Sequence, residues 1–133
     1  MRHLVQRLTV LVLTAALVAA CGSDVQPHSD YFVVAFLPGT PAPSQEGLEA
    51  LDRAAEAAGL HRPSFIALSG AIPATGPVPA VTQQRVDAIT KAMVDKGVNA
   101  ALLRVDLRQF DTKGFAERKD SFIIQLAFGT LSP

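Results

Sequence analysis

The chain has 133 residues, 49% of them hydrophobic, with twelve basic and twelve acidic side chains, three histidines and one cysteine. A single cysteine excludes an internal disulfide, and a balanced charge with no basic stripe argues against a nucleic-acid binder or a polybasic membrane patch. Residues 21–133 suffice for one domain whose core must hold by packing alone.

Arg2, His3 and Arg7 form a basic start, and Leu8 to Ala20 is an apolar run ending in small residues, the layout of an export signal. The run falls short of the roughly 20 apolar residues that a membrane-spanning helix needs. Cys21 follows directly, and Val18-Ala19-Ala20-Cys21 resembles a bacterial lipobox. That resemblance implies a signal peptide over residues 1–20, removed by signal peptidase II, and a lipid on Cys21. Gly22 behind the anchor, rather than aspartate, resembles the pattern of lipoproteins sent to the outer membrane. The mature chain would keep ten basic and twelve acidic residues, a net charge of −2. Residues 22–30 are polar and aperiodic, so 21–30 reads as the lipidated cysteine and a flexible tether reaching roughly 30 Å.

Tyr31–Leu37 is apolar and rich in β-branched and aromatic residues, which predicts a buried strand. Residues 38–43, with their prolines and glycine, end it, and Ser44 is placed as the N-cap of a helix over 45–58. Leu48, Leu51, Ala55 and Ala58 recur there at spacings of three and four, and Gly59 is the expected stop. Residues 64–69 form a second short strand ending at Gly70. Ala71–Ala80, with Pro73, Gly76, Pro77 and Pro79, reads as a loop of polyproline character. Thr82 is placed as the cap of the next helix, Val81 and Val86 as its hydrophobic staple, Val86, Ile89, Met93 and Val94 as its buried stripe, and Gly97 as its end. Leu103, Val105 and Leu107 alternate with Arg104 and Asp106, which predicts a half-solvated strand over 100–107. A charged connection, Arg108 to Asp120, leads to a last strand carrying Phe122, Ile124, Leu126 and Phe128. The order β-α-β-α-β-β predicts an α/β (α+β) two-layer sandwich, with two helices packed on one face of a mixed sheet and the other face partly in water.

The second helix carries a more specific pattern. Val81-Thr82-Gln83-Gln84-Arg85-Val86-Asp87-Ala88-Ile89, continuing through Met93-Val94-Asp95-Lys96-Gly97-Val98, resembles the carboxyl-terminal domain of outer-membrane protein A and its relatives. In that family the helix reads Leu-Ser-x-x-Arg-Ala-x-x-Val and ends in a basic residue followed by Gly-Val or Gly-Ile. The resemblance spans residues 31–128 and leaves 129–133 as a tail; residue by residue it rests on this helix and on Ser69-Gly70. It implies a wall-binding fold, whose members hold the diaminopimelate of peptidoglycan with an aspartate in the turn after the second strand and with the arginine of this helix. Arg85 takes the arginine position, and Arg85, Thr82 and Gly70 are the candidate ligand-binding residues. The aspartate is missing, because no acidic residue lies between Gly70 and Val81. Arg85 alone would hold a carboxylate weakly, since a zwitterion leaving water needs both charges answered. Without the resemblance, Arg85 reads equally as a solvated arginine near a helix start.

Catalytic, metal and cofactor arrangements are lacking in the sequence. His3 lies in the signal, His28 in the tether and His61 behind a helix, and Ser69-Gly70 lacks the Gly-x-Ser-x-Gly frame of a nucleophile elbow. Asp106, Asp111, Glu117 and Asp120 are interleaved with Arg108, Lys113, Arg118 and Lys119, as in a solvated charged loop. The expectation is a non-enzymatic cell-envelope lipoprotein, held at the outer membrane facing the periplasm and touching peptidoglycan through Arg85. The alternative is an envelope protein-interaction module that has lost wall binding. Its concrete version is the CpaD-type lipoprotein of tight-adherence pili, which has a similar order of elements and a comparable helix ending in Gly-Val.

Overall fold

The final strand of the chain sits inside the sheet, and this places everything else. In the computed structural model, which describes residues 30–128, β4 (Ser121–Ala127) pairs antiparallel with β1 (Tyr31–Ala35) on one side and with β2 (Phe65–Pro73) on the other. β3 (Leu103–Phe110) then adds parallel to β2, giving the order β1-β4-β2-β3. Helix α1 (Gln45–His61) connects β1 to β2, and α2 (Ala80–Asp95) connects β2 to β3. Their buried residues join Val34, Ile66, Leu68, Phe122, Ile124 and Leu126 in one core, so the predicted sandwich is present with both long helices on one face. No helix among the described residues is long and apolar enough to cross a membrane. The expected export signal, Cys21, residues 22–29 of the expected tether and the expected tail lie outside the described residues.

Several local expectations give way to the tertiary packing. β1 ends at Ala35; Phe36 makes only an isolated bridge to Pro43, across a turn in which Gly39 takes φ +70°. Ser44 does cap α1, its side chain accepting from the Gly47 N–H at 3.1 Å. The helix nevertheless runs past Gly59 to His61 and closes at Arg62 in the left-handed region, just before Pro63. Its buried face is Gly47, Ala50, Leu51, Ala54, Ala55 and Ala58, and Leu48 is exposed. Small residues let α1 lie close on β1: a Cβ on Gly47 would collide with the Ala35 carbonyl oxygen.

β2 continues through Gly70 to Pro73, where a loop was expected, because Ala71, Ile72 and Pro73 pair with Arg108, Gln109 and Phe110 of β3. Pro73 is tolerated at the strand end, where β4 no longer pairs. α2 begins three residues early, behind Pro79 and without a side-chain cap, so Thr82 lies inside the helix and is buried. Its core face is Thr82, Arg85, Val86, Ile89 and Met93, and Val94 faces out. A 3-10 turn (Ala100–Leu102) capped by Asn99 replaces the expected start of β3. Val105 is half exposed, since an edge strand is only partly covered by helices. The charged connection contains a third helix, α3 (Thr112–Arg118), capped by Asp111, whose carboxylate accepts from the Gly114 N–H at 2.7 Å. Phe122, Ile124 and Leu126 of β4 are buried as predicted, and Phe128 lies beyond the strand, exposed.

Gly70 is therefore a mid-strand residue facing the core. A Cβ there would stand 2.5 Å from two carbons of the Phe122 ring. Gly70→Ala should lower the unfolding free energy by about 1–3 kcal/mol in urea titrations, because the ring cannot retreat within the core. Gly59→Ala, with open space around it in the last turns of α1, should raise it by up to about 1 kcal/mol.

Candidate functional site

Arg85 is the largest fully buried side chain among the described residues, with 2% of it exposed. Because α2 starts at Ala80, Arg85 stands in its second turn, beyond reach of the free first-turn N–H groups, and on the helix face that meets the β1–α1 loop. Neither solvation nor an open ligand position describes it. Its Nε donates to the Thr40 carbonyl at 2.8 Å and Nη1 to the Lys119 carbonyl at 2.5 Å. Nη2 donates to Asp120 Oδ1 at 2.9 Å and, more weakly, to the Leu37 carbonyl at 3.4 Å. The guanidinium lies over the Phe36 ring, 4.9 Å from its centroid.

Such a charge tolerates burial because it has a counter-ion and several acceptors, and only the planar fork of arginine can serve them all at once. No buried side-chain polar atom among the described residues lacks a partner. Asp120 is the other half of the site. Its Oδ1 also accepts from the Gly39 N–H at 3.3 Å, while 31% of the side chain remains exposed. Thr40 Oγ1 donates to the Leu37 carbonyl and accepts from the Ala42 N–H, which knits the loop to itself.

The three sequence-predicted residues occupy different positions. Arg85 is the hub of the cluster. Gly70 connects to it only through packing: Gly70 admits the Phe122 ring, Phe122 meets Phe36 edge-on at 6.1 Å, and Phe36 lies under the guanidinium. Thr82 is buried one turn before Arg85, its N–H donating to the Pro79 carbonyl. Sequence reasoning missed Asp120, which it assigned to a solvated loop. It also missed the carbonyls of Leu37, Thr40 and Lys119, which no residue type announces.

The hydrogen bond from Arg85 holds the Asp120 carboxyl below its ordinary value of 3.8, helped by the Gly39 N–H and the nearby positive charges and opposed by desolvation. A carboxyl with a depressed folded-state pKa contributes stability above its unfolded value, and that contribution is lost as pH falls through the folded value. Below about pH 4, then, the wild-type chain should lose stability more steeply than Asp120→Asn, with a constant gap above about pH 5, in denaturant titrations across pH. At neutral pH, Asp120→Ala should cost about 2–3 kcal/mol, since it leaves a buried guanidinium with no counter-charge.

No family model and no curated protein sequence matches the chain. Solved structures do. The OmpA-like domain of FopA1 from Francisella tularensis superposes with a TM-score of 0.57 at 11% identity, over 81% of each chain. The peptidoglycan-associated lipoprotein from Burkholderia pseudomallei gives a TM-score of 0.53 at 17% identity, over 74% of this chain and 90% of that one. The periplasmic domain of Helicobacter pylori MotB gives 0.54 at 14% identity, over 79% and 78%. With the element order, the mixed four-stranded sheet and the helix that carries Arg85, these likenesses establish that the chain has the OmpA-like fold.

Proposed function

We propose that this chain is a non-enzymatic cell-envelope lipoprotein, exported by residues 1–20, anchored by a lipid on Cys21, and placed at the outer membrane facing the periplasm. The observation that carries this reading is the lipobox ending at Cys21, followed ten residues later by the first strand of an OmpA-like fold at Tyr31. Ten residues span at most about 35 Å, so the domain works close to the membrane. The likeness in fold to a peptidoglycan-associated lipoprotein and to the periplasmic domain of MotB supports this setting.

Contact with the wall is weak in this reading. Arg85 stands where the resemblance places the arginine that takes a diaminopimelate carboxylate, but Asp120 already fills that role from within the chain. A wall carboxylate gains the guanidinium only by displacing Asp120, and Thr82 and Gly70 are too enclosed to add contacts. The same closure favours a second reading, an envelope protein-interaction module that no longer binds peptidoglycan, as in a CpaD-like pilus-assembly lipoprotein.

One measurement tests the anchor that both readings share, and a second separates them. Cells expressing the full chain should incorporate labelled palmitate, and Cys21→Ala should abolish the label. In sedimentation with purified peptidoglycan, the wild-type chain should pellet weakly and Asp120→Asn severalfold more, with free diaminopimelate suppressing both. Background pelleting by both chains would leave the interaction module as the function.

A further inference from the structure

The sheet face away from α1 and α2 is largely uncovered. Alternation and register place Tyr31 and Val33 of β1, Ile123 and Gln125 of β4, Ser69 of β2, and Arg104, Asp106 and Arg108 of β3 on it. Tyr31 is 61% exposed, Val33 59% and Ile123 40%, large apolar groups left in water. α3 packs chiefly against β2 and β3, with Arg118 stacked on the Phe110 ring at 4.6 Å. Between α3 and Tyr31 lies an open cleft of about 250 Å³ lined by Ile123, Phe110, Arg108 and Arg118.

Two guanidinium groups, those of Arg108 and Arg118, thus line the cleft, and Arg104 stands farther along β3 on the same face, although the sequence contains no basic run. Arg104 stacks on Phe65 at 4.9 Å and has no carboxylate partner among the described residues. Arg108 pairs with its neighbour Asp106 at 3.1 Å, and Arg118 lies 3.6 Å from Glu117. All three remain accessible at the surface.

We propose that this open face rests on a phospholipid surface containing anionic headgroups. Tyr31, Val33 and Ile123 enter the headgroup boundary, where an aromatic ring with a polar tip and small aliphatic groups are favoured, and the arginines meet phosphate oxygens. The occupant follows from where the tether joins the fold: Tyr31 is the first strand residue, belongs to this face, and stands ten residues from Cys21. The inference rests on the lipid anchor proposed above, which makes the second contact intramolecular and lets a weak surface suffice.

The test uses the chain from residue 21 onward with Cys21→Ser, so that no acyl group can drive binding, sedimented with vesicles of phosphatidylcholine with or without phosphatidylglycerol. Binding to the anionic vesicles at low salt is expected. Val33→Asp should weaken it about tenfold and Arg108→Glu severalfold, with circular dichroism unchanged. Leu60→Asp, on a residue 70% exposed in the helical layer, should leave it intact. Should Val33→Asp fail to fold, Tyr31→Ser reads the same contact. No binding to anionic vesicles, or equal losses from Leu60→Asp and Val33→Asp, would overturn the proposal. Vesicle binding with no palmitate incorporation in cells would instead remove the anchor and keep the surface.

Discussion

The structure depends on one buried cation. Arg85 gathers three segments that are distant in the chain: the Pro-rich turn between β1 and α1, helix α2, and the turn that leads into β4. The first of these has no regular hydrogen-bond ladder of its own: its Leu37 carbonyl accepts from the Thr40 N–H and hydroxyl, and its Thr40 carbonyl accepts from the Arg85 Nε. Asp120 answers the charge of the guanidinium. Through Phe36 and Phe122 the same group reaches the centre of the sheet, where Gly70 provides the space for the ring. Lysine in that place would have a single nitrogen and no plane to lay on Phe36.

That arrangement bears on function through competition. A guanidinium committed to three carbonyls and a carboxylate cannot also present an open edge to a ligand, so in this OmpA-like fold Arg85 is turned inward. Asp120 stays part-exposed, which makes it the point where water or an incoming charge meets the cluster first. The two faces of the sheet then differ: one is consumed by the core and its clamp, the other remains open along β1, β4 and β3.

Particular residues show what could be read beforehand. Phe122, Ile124 and Leu126, with a period of two, declared both their strand and their buried face, and Ser44 declared the start of α1. Thr82 has the chemistry of a cap, yet Pro79 begins the helix and Thr82 is drawn into the core beside Arg85. Leu48, Val94 and Val105 belong to apolar patterns and are nevertheless exposed, so periodicity alone overstated the buried face of their elements. Ala71, Ile72 and Pro73 looked like loop and became strand once β3 lay alongside. The short α3 has too little apolar periodicity to stand out from the charges around it.

The chain by itself determined the order of strands and long helices, the two-layer class and the place of Arg85 on a core helix. These follow from spacing and capping, which act within a few residues. Only the tertiary structure decided that β4 lies between β1 and β2, that Asp120 and three backbone carbonyls converge on Arg85, and that Arg104, Arg108 and Arg118 share a face with Tyr31. Pairing between segments tens of residues apart is set by how faces fit and which buried polar groups must be satisfied, and neither leaves a local mark on the chain.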